Sequence, residues 1–380
     1  NKNKAEADYQ NADVSIKAND NTKVSAHVGT LSVAGAGTAS VTTGAAVDNN
    51  KFNRAVTAEF VGNSNKNTVQ AKNIDINAVN TSKVLLTESG ASLGVAPTAG
   101  IGVTGVVTVD KFDGKTYANL NNAKVTSAGD VKVEADSLKD IATYTNGASV
   151  TGGYVAVATS AAVAVVKENS ETSASINSTD IAKAKDVTLK ANNENIIKHE
   201  IAQGGLAVGL GGSVGVTVGV NNFNNTVSNH LINSNIGSET NSVGNFTDLA
   251  NNKITDGFTN VNANAGLGAI GVGVGINTID TGVLNKISYS SVYAKSIDVK
   301  AEDERNINES AIGASLGAGT INTSVMINNV GTALQKEYSE PDNPKADYNI
   351  EGIIAKVSGG FRDVNNNNTA LSENGFTKGI

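Results

Sequence analysis

Cysteine and tryptophan are absent from this 380-residue chain, methionine occurs once and proline only three times. The lack of cysteine excludes disulfide bonds, thiol catalysis and cysteine-ligated metal sites. Phenylalanine and tyrosine together make up only 4% of the residues, although a core aromatic side chain can bury ~150–250 Å². The buried apolar area must therefore come from Ala, Val and Ile. This composition argues against an ordinary enzyme domain and predicts no cofactor or metal site.

The charge of the chain and its distribution do not predict binding to nucleic acid or to an anionic membrane. The net charge is −7, and acidic and basic residues are interspersed, so nothing attracts the chain to nucleic acid or to an anionic membrane. The sequence has no apolar run of about 18 residues and no signal-peptide pattern. It begins at Asn1. We expect it to be a segment of a longer protein that passes through an oxidising compartment, where free thiols would cross-link.

A five-residue phrase of alternating apolar and polar positions that ends in Ala repeats along the chain. It occupies 14–18 (VSIKA), 74–78 (IDINA), 131–135 (VKVEA), 187–191 (VTLKA) and 297–301 (IDVKA). The first four copies are almost evenly spaced. The interval before the last copy is close to two periods, and 261–265 (VNANA) is the candidate for a displaced copy within it. Such periodicity is typical of repeat architectures.

Each copy is followed by a block rich in Gly, Ala and Val and then by an Asn-rich run such as 48–51 or 221–225. Strict alternation predicts half-buried strands, and Gly and Asn at this density disfavour helix. We therefore predict an all-β fold, an elongated parallel β-helix (β-solenoid) with Gly/Asn-rich turns, in which Asn side chains stack in successive coils. Three turns of ~19 residues per period would give ~20 coils and a rod of roughly 95 Å. An array of small β-sandwiches is the competing architecture, although ~57 residues is short for one.

Two segments depart from the repeat. We predict a β-helical repeat region over 1–336, with an insertion at about 238–260 that projects from it. Phe246 and Phe258 are its candidate partner-binding residues. The sequence after 337 loses the repeat around Pro341 and Pro344, so 337–380 is predicted to be an irregular tail, a linker or a second insertion.

Catalytic motifs are weak. Gly-x-Ser-x-Gly occurs around Ser92, Ser213 and Ser315, but a nucleophile elbow needs a strand-to-helix turn, so three matches inside a recurring Gly block indicate the repeat instead. The histidines at 27, 199 and 230 are isolated and lack metal-ligand spacing. A glycan-degrading solenoid would need two carboxylates about 5–10 Å apart, and Glu168 with Glu171 is the candidate pair. We predict that the chain is not an enzyme.

The repeated phrase, the Gly-Ala-Val blocks with Asn-rich runs and the absence of Cys and Trp resemble the passenger regions of large Gram-negative exoproteins. The resemblance, over residues 1 to about 336, is to the filamentous haemagglutinin and leukotoxin-type filamentous adhesin class. It implies type V secretion and display of a β-helical stalk, released or at the outer-membrane surface. No functional residues carry over, because this class has no local motif to match.

The resemblance implies an extracellular structural and adhesive rod that attaches to host cells or to other bacteria. Its partner would be a surface receptor, protein or glycan, with membrane contact only through an anchor or translocator outside this sequence. No nucleic-acid partner is expected, and the segment is expected to be monomeric. The alternative is a segment of a secreted leukotoxin-type cytotoxin.

Overall fold

The computed structural model describes residues 12–332 and three short strands within 353–371. Strands occupy almost all of 12–332, and this range contains no helix. All pairing between coils is parallel, and each coil contains two long strands that lie in facing sheets. The prediction of an all-β parallel solenoid is therefore confirmed.

Sheet A contains the first long strand of each of six coils. In stacking order these are β1 (Val14–Gly35), β4 (Ile74–Val95), β7 (Val131–Gly152), β10 (Asp186–Val208), β13 (Val243–Ala265) and β15 (Ser291–Leu316). Sheet B contains the second long strands, β2 (Ala39–Val61), β5 (Ala99–Asn121), β8 (Val155–Asn177), β11 (Gly212–Ile232), β14 (Gly268–Ser288) and β16 (Gly319–Thr332).

Short third strands lead from one coil to the next and extend sheet A along a second row. They are β3 (Asn67–Ala71), β6 (Ala123–Ser127), β9 (Asp180–Lys183) and β12 (Asn235–Ile236), and the start of β15 takes the same place. In the predicted tail, β17 (Ile353–Val357) pairs with β14, and β18 (Phe361–Asp363) pairs with β15 and β19 (Ala370–Leu371). The rest of 337–380 lies outside the described residues.

One sequence period is one coil. Val14 pairs with Ile74, and the same ladder continues through Val131, Val187, Phe246 and Ile297. The prediction that each period divides into three short turns was wrong. Each long strand spans about 70 Å, whereas six coils stack to only about 25–30 Å. The described body is thus broader across its coils than it is long along its stacking axis.

The Asn-rich runs are strand interiors, not turns. Asn221 and Asn225 lie within β11, are fully buried and face sheet A, while Asn222 between them faces outward. A strand can continue through these residues because their inward side-chain oxygens find hydrogen-bond partners inside the coil. The predicted Asn stacking is confirmed, since Asn193 Nδ2 donates to Asn252 Oδ1 (2.8 Å) in the next coil.

The real turns are of two kinds. Sheets A and B are joined by Gly-rich turns, where a Cβ on Gly211 would lie 1.7 Å from the carbonyl oxygen of Ala156. The corners after β2, β5, β8, β11 and β14 each have one left-handed residue, at Lys66, Asn122, Ser178, Asn233 and Tyr289 (φ 49° to 59°). In three of these corners the next residue is Ser or Thr, and its hydroxyl oxygen accepts a hydrogen bond from a backbone N–H of the preceding coil. For example, Ser234 N–H donates to Ser290 Oγ (3.1 Å).

The interior alternates between apolar and polar bands along the long strands. The largest apolar cluster lies beside the short strands and includes Ile76, Leu120, Ile181 and Phe246. A second cluster around Leu86, Phe112 and Phe223 lies farther along the coils. Buried polar and ionisable side chains occupy the levels between and beyond these clusters.

Residues 238–260 do not form a projecting insertion. Most of this stretch belongs to β13, which pairs with β10 on one side and β15 on the other over its length. The displaced copy of the repeated phrase is 246–250 (FTDLA), not 261–265. It lies in register with 187–191 of the preceding coil. Asp248 occupies a position that Ile, Val or Leu fills in other coils, so the apolar pattern is interrupted there.

Candidate functional site

The polarity of the long strands inverts along their length. Near the short strands, apolar side chains face inward and polar ones outward, as in β7, where Val131 and Val133 are buried. Toward the Gly-rich turns the outer faces become aliphatic. In β5, Ile101 and Val103 are 40% exposed, while the inward positions around them are Gly100, Gly102 and Thr104.

We call the exposed aliphatic surface beside the Gly-rich turns the apolar margin. Its residues are Leu31, Val33, Val41, Leu93, Val95, Ile101, Val103, Val107, Val150, Val155, Val157, Leu206, Val208, Val214, Ile270, Ile312, Leu316, Ile321 and Val325. The margin runs through all six coils and covers both outer faces. The six stretches that build it, 28–47, 89–109, 141–166, 201–220, 257–279 and 310–332, contain no Asp, Glu, Lys or Arg.

Beside the Gly-rich turns, small interior residues let sheets A and B lie close together. Phe258 is fully buried and fills space left by two glycines of sheet B. A Cβ on Gly219 would lie 2.4 Å from its ring, and one on Gly275 would lie 2.9 Å from it. Inward hydroxyls bond across the remaining gap: Thr104 Oγ1 donates to Ser92 Oγ (2.8 Å).

Phe246 and Phe258 do not form the predicted partner-binding site. Both side chains are fully buried in apolar clusters, Phe246 beside the short strands and Phe258 against Ala162, Ala164 and Ile201. A regular strand places them inside because both are at even positions of β13, whose even positions face sheet B. They stabilise the interior and present no surface to a partner.

The candidate catalytic residues are not assembled into a site. Ser92 and Ser213 face inward and are buried. His199 stacks on Phe258 (5.1 Å between ring centres), and burial lowers its pKa to about 4 despite a hydrogen bond with Asn221. Glu168 is buried, whereas Glu171, farther along the same strand, has a side chain that is 44% exposed on the opposite face. These two carboxylates therefore share no cleft.

Three carboxylates meet inside the first two coils. Asp48 on β2, Glu88 on β4 and Asp110 on β5 each place one oxygen within 4.8 Å of the other two. We call this set the acidic cluster. Burial raises the pKa of Glu88 to about 8, with a further contribution from the negative charge of Asp110. Burial also raises the pKa of Asp110 to about 6, against a hydrogen bond from Asn50.

Sequence reasoning missed both the apolar margin and the acidic cluster. The three carboxylates lie far apart in the sequence, at 48, 88 and 110, so no local motif marks them. The margin was visible as charge-free Gly-Ala-Val blocks, but their small residues on both faces were interpreted as tight sheet packing.

Comparisons with protein-family models, with curated proteins and with solved structures gave no match. In the described part of the chain, no helix combines the length and apolar character needed to cross a membrane.

Proposed function

We propose that this chain is a structural and adhesive segment of a secreted or surface-displayed bacterial exoprotein, and that the apolar margin is its adhesive surface. The single observation that carries the proposal is the margin itself, a continuous, charge-free aliphatic surface on both outer faces. Exposed apolar patches larger than a few hundred Å² are typical of interaction sites. The resemblance to filamentous adhesins supports export and attachment to host cells or other bacteria.

The partner is proposed to be a surface protein and not a glycan. Aliphatic side chains bind an apolar protein surface by excluding water from both. A glycan needs polar partners and aromatic faces, and the margin is formed by Val, Ile and Leu. Parallel stacking repeats the same surface in every coil, so several weak contacts can act together.

A catalytic role is not proposed. Ser92 and Ser213 are both buried between the sheets, and Ser92 Oγ donates a hydrogen bond to Ser149 Oγ. Glu168 and Glu171 lie on opposite faces of one strand.

The experiment compares cell binding by two charge-matched double variants. Val103→Lys/Ile270→Lys places two cations on the margin, where both residues are 40% exposed. Thr57→Lys/Thr255→Lys places two cations on outward positions away from the margin. We expect the margin variant to lose about tenfold or more in affinity, because burying a charge against an apolar surface costs more than ~1.4 kcal/mol. The control should bind within about twofold, since it adds no charge to the contact.

Equal binding by both double variants, with unchanged circular dichroism spectra, would refute the margin as the adhesive surface. Loss of binding by the control alone would refute it as well.

The cytotoxin alternative has one specific observation in its favour. At ~3.3 Å per residue, 101–109 spans about 27 Å, close to the ~30 Å hydrocarbon thickness of a bilayer. Its outward residues are aliphatic except for Gly105, and its inward ones are Gly, Thr and Val. Release of a fluorescent dye from neutral phosphatidylcholine vesicles by the native chain, abolished in Val103→Lys/Ile270→Lys, would favour this alternative over adhesion.

A further inference from the structure

The acidic cluster brings three carboxylates together from both sheets. Asp48 and Asp110 lie on neighbouring strands of sheet B, and Glu88 approaches from sheet A. Glu88 and Asp110 are fully buried, whereas Asp48, in the first described coil, is partly exposed. The cluster therefore has two interior members and one member that solvent can reach.

No cationic side chain among the described residues pairs with the cluster. Glu88 Oε1 and Asp110 Oδ2 are buried without a hydrogen-bond partner. Across 12–331, no lysine or arginine forms an ion pair with any of the three carboxylates. By contrast, the carboxylate of Glu168, which is buried in the same interior, is paired with Lys139. An isolated buried carboxylate is costly unless a cation or a proton neutralises it.

Neighbouring side chains hold the cluster in place and supply hydroxyl oxygens. The Asn50 amide donates to Asp48 Oδ2 (2.7 Å) and to Asp110 Oδ1 (2.9 Å), which holds these two side chains in place. Thr145 Oγ1 donates to Thr108 Oγ1 (3.1 Å) and lies 3.4 Å from Glu88 Oε2. A set of carboxylate and hydroxyl oxygens suits a hard divalent cation.

We propose that Asp48, Glu88 and Asp110 bind one Ca²⁺ ion that joins sheet A to sheet B in the first two coils. Ca²⁺ takes 6–8 oxygen ligands at about 2.3–2.6 Å, so two of its ligands can lie up to about 5 Å apart, whereas Mg²⁺ keeps several waters and usually binds through one or two carboxylates. Three carboxylate oxygens within 4.8 Å of one another can therefore share one Ca²⁺ ion. The partly exposed Asp48 gives the ion a route from solvent.

The experiment measures Ca²⁺ binding to the whole chain after dialysis against EGTA, by isothermal titration calorimetry and by thermal unfolding. We expect saturable binding of one ion per chain and a melting temperature that rises with Ca²⁺ concentration, because a ligand that binds only the folded state stabilises it. Mg²⁺ should bind at least about tenfold more weakly, because it gives up its water ligands reluctantly and prefers sites with one or two carboxylates.

Glu88→Gln and Asp110→Asn keep the side-chain shape and remove one charge each. Both should fold, because each relieves buried negative charge, and both should abolish the Ca²⁺-dependent rise in melting temperature. Asp256→Asn is the matched control. Asp256 is a buried carboxylate elsewhere in the interior that accepts a hydrogen bond from Asn277 (2.7 Å), and this variant should keep the full response.

The proposal is overturned if the native chain shows no saturable Ca²⁺ binding, which would mean that protons neutralise the cluster. It is also overturned if Glu88→Gln and Asp110→Asn still bind Ca²⁺ like the native chain, or if Mg²⁺ binds equally well. A failure of the adhesion experiment would leave these outcomes unchanged, because the cluster lies inside the coil and the margin outside.

Discussion

Lys139 on β7 and Glu168 on β8 form an ion pair across the interior of one coil, and their side chains are only 5% and 0% exposed. Such a pair offsets the cost of removing two charges from water only while both partners are present. The acidic cluster lies in the same interior without a cationic side chain. The interior of this solenoid therefore holds ionisable side chains both with and without a cationic partner.

The ion pair predicts a strongly non-additive pair of substitutions. Lys139→Met leaves Glu168 buried without its cation and should lower the free energy of unfolding by about 3–5 kcal/mol. Lys139→Met/Glu168→Leu removes both charges and should recover most of that loss. Urea unfolding of the two single variants and the double variant tests this. A double variant that loses the sum of the single losses would contradict a coupled pair.

Phe246 and Phe258 are predicted to act on stability. Phe246→Ala and Phe258→Ala should each lower the free energy of unfolding by about 3–5 kcal/mol, because each removes a fully buried ring and leaves a cavity. Thr255→Ala, on the outer face of the same strand, should change it by no more than about 0.5 kcal/mol. Urea unfolding measures all three. Weakened partner binding with unchanged stability would restore the interpretation of these residues as a binding site.

Asp248 predicts a pH dependence of stability. It is fully buried, and burial raises its pKa from 3.8 to about 7, although Asn229 donates a hydrogen bond to it. The folded state therefore holds a proton that the unfolded state releases above pH 3.8. The contribution of this residue to stability is greatest below that pH and is lost as the pH rises toward 7.

Asp248→Asn removes this titration and keeps an acceptor oxygen for Asn229. We expect the variant to match the native chain near pH 4 and to exceed it at pH 8 by up to about 4 kcal/mol, at ~1.4 kcal/mol per pKa unit. Urea unfolding at the two pH values measures the difference. If the difference in free energy of unfolding between the variant and the native chain is the same at both pH values, Asp248 is ionised in the folded state.

Tyr289 predicts a stabilising substitution. It has φ 50° and is 80% exposed at a corner where the equivalent residues Asn122 and Asn233 also have positive φ. A left-handed backbone costs most residues roughly 1–2 kcal/mol, but Asn tolerates it. Tyr289→Asn should therefore raise the free energy of unfolding by about 0.5–1 kcal/mol.

Asn233→Gly is the control, because the native residue already suits the corner, and it should change stability less. Differential scanning calorimetry of both variants provides the comparison. A lower melting temperature for Tyr289→Asn would show that the Tyr289 ring contributes more than its backbone costs.

The alternation of side chains predicted the strands well because it follows from local geometry: successive residues point to opposite faces of a sheet. It did not predict coil length. The same sequence period can be divided into three short turns or kept as one wide coil, and the Asn-rich runs favoured the former. Asn221 and Asn225 can lie in a strand because their side-chain oxygens bond His199 on the facing sheet and Ser170 in the neighbouring coil, and both partners are distant in sequence.

The same reason explains the error at 238–260. Asp248 interrupts the apolar phrase, so the displaced copy could not be recognised from its pattern. Its place in β13 depends on pairing with β10 and β15, where Asn229 accommodates the buried carboxyl group.

The amino-acid sequence by itself determined that this chain is a parallel repeat of strands with a core of small and branched residues, because period and side-chain parity are properties of neighbours along the chain. Only the tertiary structure decided how wide a coil is, which polar residues lie inside it, and that aliphatic side chains cover both outer faces at one end. Those features depend on which residues face one another across two sheets, and residues far apart in the sequence become neighbours only when the coils close and stack.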